Sequence, residues 1–189
     1  MECEKIKLYT AQSKKVIDTL KDNGVYYVKK QYILQKYGGE ASIFLEAYNW
    51  FTKNAVSIIP KPFEAEYPIW LFTDINFVER YEDCVVVELE VELENVILFE
   101  DYKWNKIQNL SYIPLDDADY LEYNKILQKQ GIKNEVDVYL TNFYPLLKNK
   151  VRKSWERLFE GERDLSKQKR AALWQIKGEW ILSVDGEKW

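Results

Sequence analysis

From Val87 to Glu94 apolar and acidic residues alternate without a break, with Val87, Leu89, Val91 and Leu93 set against Glu88, Glu90, Glu92 and Glu94. A helix would scatter these residues around its axis. A strand sorts them onto two faces, because successive side chains point to opposite sides of a sheet. The pattern therefore commits this part of the chain to a strand with one face on a core and one face away from it, which is the habit of antiparallel sheets. Val85 extends the apolar face. A slip of one residue would turn the glutamates inward, so the register is strongly specified. The β signal runs from Cys84 to Glu100, with a turn at Glu94-Asn95 before Val96 to Phe99.

Other elements follow from shorter signals. Ile6 to Thr10 reads as a first strand, and Gln12 to Lys21 as a helix with Val16, Ile17 and Leu20 on one side and Asn23-Gly24 as its stop. Val25 to Val28 reads as a second strand. From Glu40 to Ile58 the spacing of Ile43, Phe44, Ala47, Tyr48, Phe51 and Ala55 is helical, and Pro60 and Pro62 close the run. Ile69 to Phe72 is a short apolar strand. Asp116 is placed to cap a helix that Gly131 ends, Asn134 to cap another, and Pro145 to restart helix at its first position. Val151, Trp155, Leu158 and Phe159 form an apolar stripe. Arg170 to Ile176 and Trp180 to Val184 read as two more strands around Lys177-Gly178-Glu179.

Strands and helices mix here without regular βαβ alternation. The expected fold is α+β: a single domain over residues 1–189, with a twisted, mainly antiparallel sheet, packed helices and a helical insertion over residues 114–165. The length suits one such domain.

The chemistry is bounded by an absence. No histidine occurs in the 189 residues. Histidine triads, histidine-ligated zinc and histidine general bases are therefore closed to this chain. Chemistry is left to carboxylates, hydroxyls, amides, lysines or a bound cofactor. The net charge of −4 disfavours nonspecific binding of nucleic acid and of anionic membranes. No apolar run approaches the roughly 18 residues of a membrane span, and Met1-Glu2-Cys3-Glu4-Lys5 is charged with no apolar stretch behind it. Cys3 and Cys84 lack metal or redox spacing; a single disulfide between them stays open, a disulfide framework does not. The expected location is the cytoplasm.

Three constellations have two readings each. The glutamates at 88, 90, 92 and 94 suit a hard cation or a solvated, salt-bridged sheet face; a planar ladder cannot surround an ion by itself, so the second reading is preferred. The basic stretches Val151 to Arg157 and Lys167 to Arg170, near Trp155 and Trp174, suit a phosphate-binding and stacking surface or a solvated helix face and loop, again with preference for the second. Tyr67 to Thr73 suits a pocket for a planar ring or a core strand. Gly38-Gly39 is too short for a phosphate loop, and there is no P-loop or dinucleotide fingerprint.

Taken together, Lys7 to Gln12, Tyr67-Pro68-Ile69-Trp70, Val85 to Val91, the Trp104 region and Leu173-Trp174-Gln175-Ile176 resemble the bacterial domain-of-unknown-function family 3841 over nearly the whole chain. A more distant likeness is to ADP-ribosyltransferase-like domains of the DarT type. It lies in Tyr9-Thr10, the helix that follows, Gly24, and the late segment Arg170 to Gln175. That likeness implies an NAD- or nucleotide-binding cleft. It also implies a catalytic Glu where this chain has Ala172, so the motif is degenerate, with Glu179 a carboxylate that would have to substitute. The resemblance, with the aromatic and hydroxyl groups at strand ends, gives the candidate binding residues: Tyr9, Thr10, Trp70, Thr73, Trp174 and Gln175. No catalytic residue and no metal ligand is assigned. Whether the chain turns anything over is left open. The alternative is a non-catalytic interaction module for a protein or nucleic acid partner.

Overall fold

The structure is a computed structural model that describes residues 4–161 and 164–189, all side chains among them except that of residue 40. A pairing of Cys3 with Cys84 lies outside the described residues. In chain order the elements are β1 (Lys5–Ser13), α1 (Lys14–Asn23), β2 (Val25–Tyr26), α2 (Lys30–Tyr37), α3 (Ala41–Ala55), β3 (Ile69–Phe72), β4 (Cys84–Glu92), β5 (Ile97–Phe99), α4 (Asp101–Gln108), α5 (Asp117–Lys129), α6 (Val136–Leu140), α7 (Pro145–Ser154), β6 (Arg170–Leu173), β7 (Ile176–Lys177), β8 (Ile181–Val184) and β9 (Glu187–Lys188). The fold is α+β with a mainly antiparallel sheet. Two compact units divide it, Met1–Leu98 with Asp164–Trp189 and, between them in sequence, Phe99–Arg163.

The first unit is built on a seven-stranded sheet of order β5-β6-β3-β1-β4-β8-β9, with a two-stranded sheet of β2 and β7 beside it. Its frame is the long β1–β4 pair, in register from Lys5 opposite Glu92 to Ser13 opposite Cys84. This register puts Leu8, Val87, Leu89 and Val91 on one face, all of them sealed from solvent. Val16, Ile17 and Leu20 of α1, with Ile69, Leu71, Ala171, Leu173, Ile176 and Ile181, complete that core. The period-two reading of β4 is what the core uses.

Where the structure departs from local expectation, pairing explains it. The first strand was expected to end at Thr10 and the helix to begin at Gln12. Instead β1 runs on to Ser13, because Gln12 and Ser13 pair with Val85 and Cys84. The expected strand from Arg170 to Ile176 is two strands in two sheets. It breaks at Trp174-Gln175, where the Trp174 indole donates to the Ile59 carbonyl at 2.9 Å. Helices α2 and α4 gave no readable stripe, since α2 buries only Ile33 and α4 only Trp104 and Ile107.

The second unit is helical and is held by stacked rings and a few buried polar contacts. Tyr112 stacks on Tyr123 at 4.2 Å, and Tyr139 on Trp155 at 5.2 Å. Asp116 caps α5, accepting the Asp119 N–H at 2.8 Å, and Pro145 opens α7, both as the sequence indicates. The cap of α6 falls at Glu135, one residue past Asn134. Ser154 accepts the Ile113 N–H at 3.0 Å and donates to the Val151 carbonyl at 2.6 Å. Arg157 pairs with Asp119 at 3.1 Å, joining the segment after α7 to α5.

Candidate functional site

Register decides where the candidate residues go. Tyr9 lies opposite Phe72. Alternation then puts Tyr9, Trp70 and Phe72 on one face of the sheet, and Thr10 with Ile69 and Leu71 on the other. Thr10 is buried on the core face, and its hydroxyl is already engaged. It donates to the Trp70 carbonyl at 3.0 Å and accepts from the Gln12 amide at 2.9 Å. Thr73 lies one residue beyond β3, its N–H donating to the Lys169 carbonyl at 3.1 Å and its hydroxyl to that of Gln168 at 3.5 Å. The Trp70 ring packs at 5.1 Å from Tyr48 and edge-on at 4.8 Å from Phe51, both on α3. Trp174 is buried and bonded to Ile59. Of the six candidates, Tyr9 and Trp70 share a face, while Thr10 faces the other way and Gln175 lines a separate groove. The structure does not gather all six around one opening.

Ala172 sits opposite Trp70 and is completely buried. It shares the face that α3 covers through Tyr48 and Phe51. A carboxylate side chain here would be desolvated among rings, which ionised groups strongly resist. The position that the ADP-ribosyltransferase motif would fill with Glu is, in this chain, part of an aromatic core.

Polar chemistry gathers instead where the two-stranded sheet meets the end of α1. A groove of about 490 Å³ is lined by Asn23, Gly24, Val25, Tyr27, Gln175, Lys177, Gly178 and Glu179. Gly24 makes it possible. Its φ of 71° is a left-handed cap that L side chains adopt at a cost, and its N–H closes α1 on the Leu20 carbonyl at 2.9 Å. The chain then enters β2, which pairs Val25 with Lys177 and Tyr26 with Ile176. The Gly178 N–H donates to the Gly24 carbonyl at 2.8 Å, locking the two turns together. The groove so formed offers two amides, one phenol ring and the largely exposed Glu179 carboxylate, 3.7 Å from the Lys177 ammonium. Amides supply both donors and acceptors, and the ring a flat apolar wall. Gly24, Gln175 and Glu179 were each named in the sequence through the same distant ADP-ribosyltransferase likeness, Gly24 also as a helix stop, and here they line one surface. Asn23 and Tyr27 were read only as a helix stop and a strand residue; a polar residue before a capping glycine carries no signal of its own.

Two of the glutamates and both tryptophans of the other constellations are engaged within the fold. Glu88 accepts from Lys7 at 3.0 Å and from Ser183 at 3.0 Å, and Glu90 from Lys5 at 3.4 Å. The Lys7 ammonium holds the Glu88 carboxyl below the usual carboxylate range. Trp155 and Trp174 are both buried, so neither is a stacking platform on a basic surface. Among the described residues no group of three or more Cys, Asp or Glu side chains is placed to hold a metal ion, and no helix is long and apolar enough to cross a membrane.

With this geometry in place, comparison with known proteins gives one match. The family described as domain of unknown function (DUF3841) matches residues 7–182. The chain belongs to that family. The match takes in β1 from Lys7 onward, β3 and β4, the second unit and the groove-lining segments 23–27 and 175–179, and stops within β8. No curated protein matches the chain, and no solved structure does.

Proposed function

We propose that the chain is an ADP-ribosyltransferase-like domain that binds NAD or a related nucleotide and does not turn it over, with the ligand in the groove between residues 23–27 and 175–179. The single observation that carries this is the convergence of Gly24, Gln175 and Glu179 on one polar groove. The donor set suits such a ligand. The amides of Asn23 and Gln175 match a carboxamide, the Tyr27 ring a planar base, and Glu179 a pair of ribose hydroxyls. The buried alanine at 172 supports binding without cleavage, since no carboxylate stands in the motif position. In this reading residues 1–189 are one cytoplasmic α+β domain with the helical unit inserted in sequence, and nonspecific nucleic acid binding is disfavoured by the net charge of −4. Ligand that binds the native state raises its apparent stability. A thermal-shift and calorimetric series with NAD and ADP-ribose is expected to show binding by the native chain, loss of it in Gln175→Ala and Tyr27→Ala, and no release of nicotinamide. Absence of binding at millimolar ligand would remove the reading.

A non-catalytic interaction module is the second reading. It is favoured by the second unit, where Phe143 and Leu146 are 83% and 84% exposed beside a shallow apolar groove. Exposed apolar surface of this kind marks contact sites. A Phe143→Asp, Leu146→Asp variant that leaves every partner recovered with the native chain in place would count against it.

A further inference from the structure

The first unit has a second groove, of about 460 Å³, whose chemistry differs from the one above. It runs along the later turns of α3 and the loop that follows, lined by Asn49, Thr52, Lys53, Lys61, Phe63, Glu66, Tyr67 and, from α2, Lys30. Three lysines face it. None of their side chains is ion-paired among the described residues. Lys61 donates to the carbonyls of Pro62 and Ala65, which are neutral acceptors and leave its charge uncompensated. The one acidic side chain in the groove is already served, since Glu66 accepts the Lys30 backbone N–H at 2.7 Å and lies 4.0 Å from the Lys29 ammonium. Asn49 accepts the Tyr67 hydroxyl at 2.6 Å, which fixes its amide and leaves the NH₂ to donate.

At the lip stands Phe63. It is 97% exposed, more than any other large apolar side chain described. A ring so placed contributes nothing to the core. Beside a cationic groove it is a stacking surface, because a flat ring accepts the π-face of any base while lysines take phosphate oxygens.

We propose that this groove binds a nucleoside phosphate, with the phosphates against Lys30, Lys53 and Lys61 and the base on Phe63. Asn49 supplies a hydrogen bond to a phosphate or ribose oxygen. The proposal does not rest on the NAD reading, and its residues are separate from those of the other groove.

The test is calorimetry on the full chain with ATP, tripolyphosphate and adenosine. ATP is expected to bind and to weaken as salt rises. Tripolyphosphate should bind about tenfold more weakly, because it lacks the base. Adenosine should bind too weakly to measure. Lys53→Gln with Lys61→Gln should weaken ATP by about tenfold or more. Phe63→Ala should weaken ATP by about tenfold and leave tripolyphosphate unchanged. Lys53 and Phe63 are exposed and Lys61 is half-buried, and circular dichroism verifies that each variant is folded. A single-stranded oligonucleotide of the same base separates the two sources of this chemistry; tighter binding than ATP assigns the groove to a nucleotide within a strand. No ATP binding at millimolar ligand overturns the proposal, as does a lysine double variant that binds ATP like the native chain, or a Phe63→Ala variant with unchanged ATP affinity. Gln175→Ala and Phe63→Ala together distinguish the two grooves: Gln175→Ala should remove the NAD binding that Phe63→Ala leaves in place, and should leave ATP affinity here untouched.

Discussion

The sheet face that carries Tyr9 and Trp70 is made in two different ways. Over β3 and β6 it is closed: Trp70 packs against Tyr48 and Phe51, and Ala172 has no exposed surface. Over β1 and β4 it is open, and Lys5 and Lys7 reach diagonally across to Glu90 and Glu88 at 3.4 and 3.0 Å. The strands record this difference. From Val87 to Glu92 β4 alternates apolar with acidic residues, while β3 reads Ile-Trp-Leu-Phe with no polar position at all. A strand covered on both faces loses its alternation, and one covered on a single face keeps it. The comparison also bears on chemistry. The resemblance to ADP-ribosyltransferases places its carboxylate on the closed half, where a charge is least affordable.

The strongest way to break this comparison is to place a glutamate at position 172. Ala172→Glu should destabilise the fold by about 4 kcal/mol or more, the scale of an uncompensated buried charge. It should also fail to produce NAD cleavage. Denaturant unfolding checks the first point and nicotinamide release the second. A stable Ala172→Glu protein would mean that this half of the face is open after all.

A smaller effect tests the two faces of β4 against each other. Leu89 is completely buried, so Leu89→Ala should cost about 2–5 kcal/mol. Glu90→Ala, on the open face, should cost under about 1 kcal/mol. Urea midpoints that rank these two the other way round would reverse the register.

The smallest effect sharpens the open half. Lys7 lowers the Glu88 carboxyl, so the pair stabilises the fold above the ordinary carboxylate range. That contribution is lost as pH falls through the lowered value. Glu88→Gln should therefore unfold within about 1 kcal/mol of the native chain at neutral pH, and the gap should shrink in acid and at high salt. A gap that persists in both would show that the ladder acts through packing rather than charge.

Much of the frame was legible before any coordinates. The β4 pattern, the α1 stripe of Val16, Ile17 and Leu20, the Asp116 cap and the Pro145 restart all depend on residues within a few positions of each other. The candidate site was legible only in pieces. Gly24, Gln175 and Glu179 each carried a signal, yet nothing local says that residues 24 and 175 share a groove. Phe63 and Lys61 carried no signal in the sequence, because exposure is a property of what packs nearby and not of the residue itself. Trp155, read as part of an apolar stripe, and Trp174 are both buried, since an indole N–H with a backbone acceptor, Ser111 or Ile59, can be taken out of water without loss.

By itself the sequence determined strands β3 and β4 and helices α1, α3, α5 and α7 to within a few residues, which face of β4 meets the core, and that no histidine chemistry is possible. Those follow from periodicity and residue type, which act over a few residues. The tertiary structure alone decided the order β5-β6-β3-β1-β4-β8-β9, the meeting of Ala172 with Trp70 under α3, and the closing of Gly24 on Gly178. Each of these is a pairing between segments distant in sequence. It is chosen by the burial and the backbone hydrogen bonds that all the strands can satisfy together, and no single stretch of the chain encodes it.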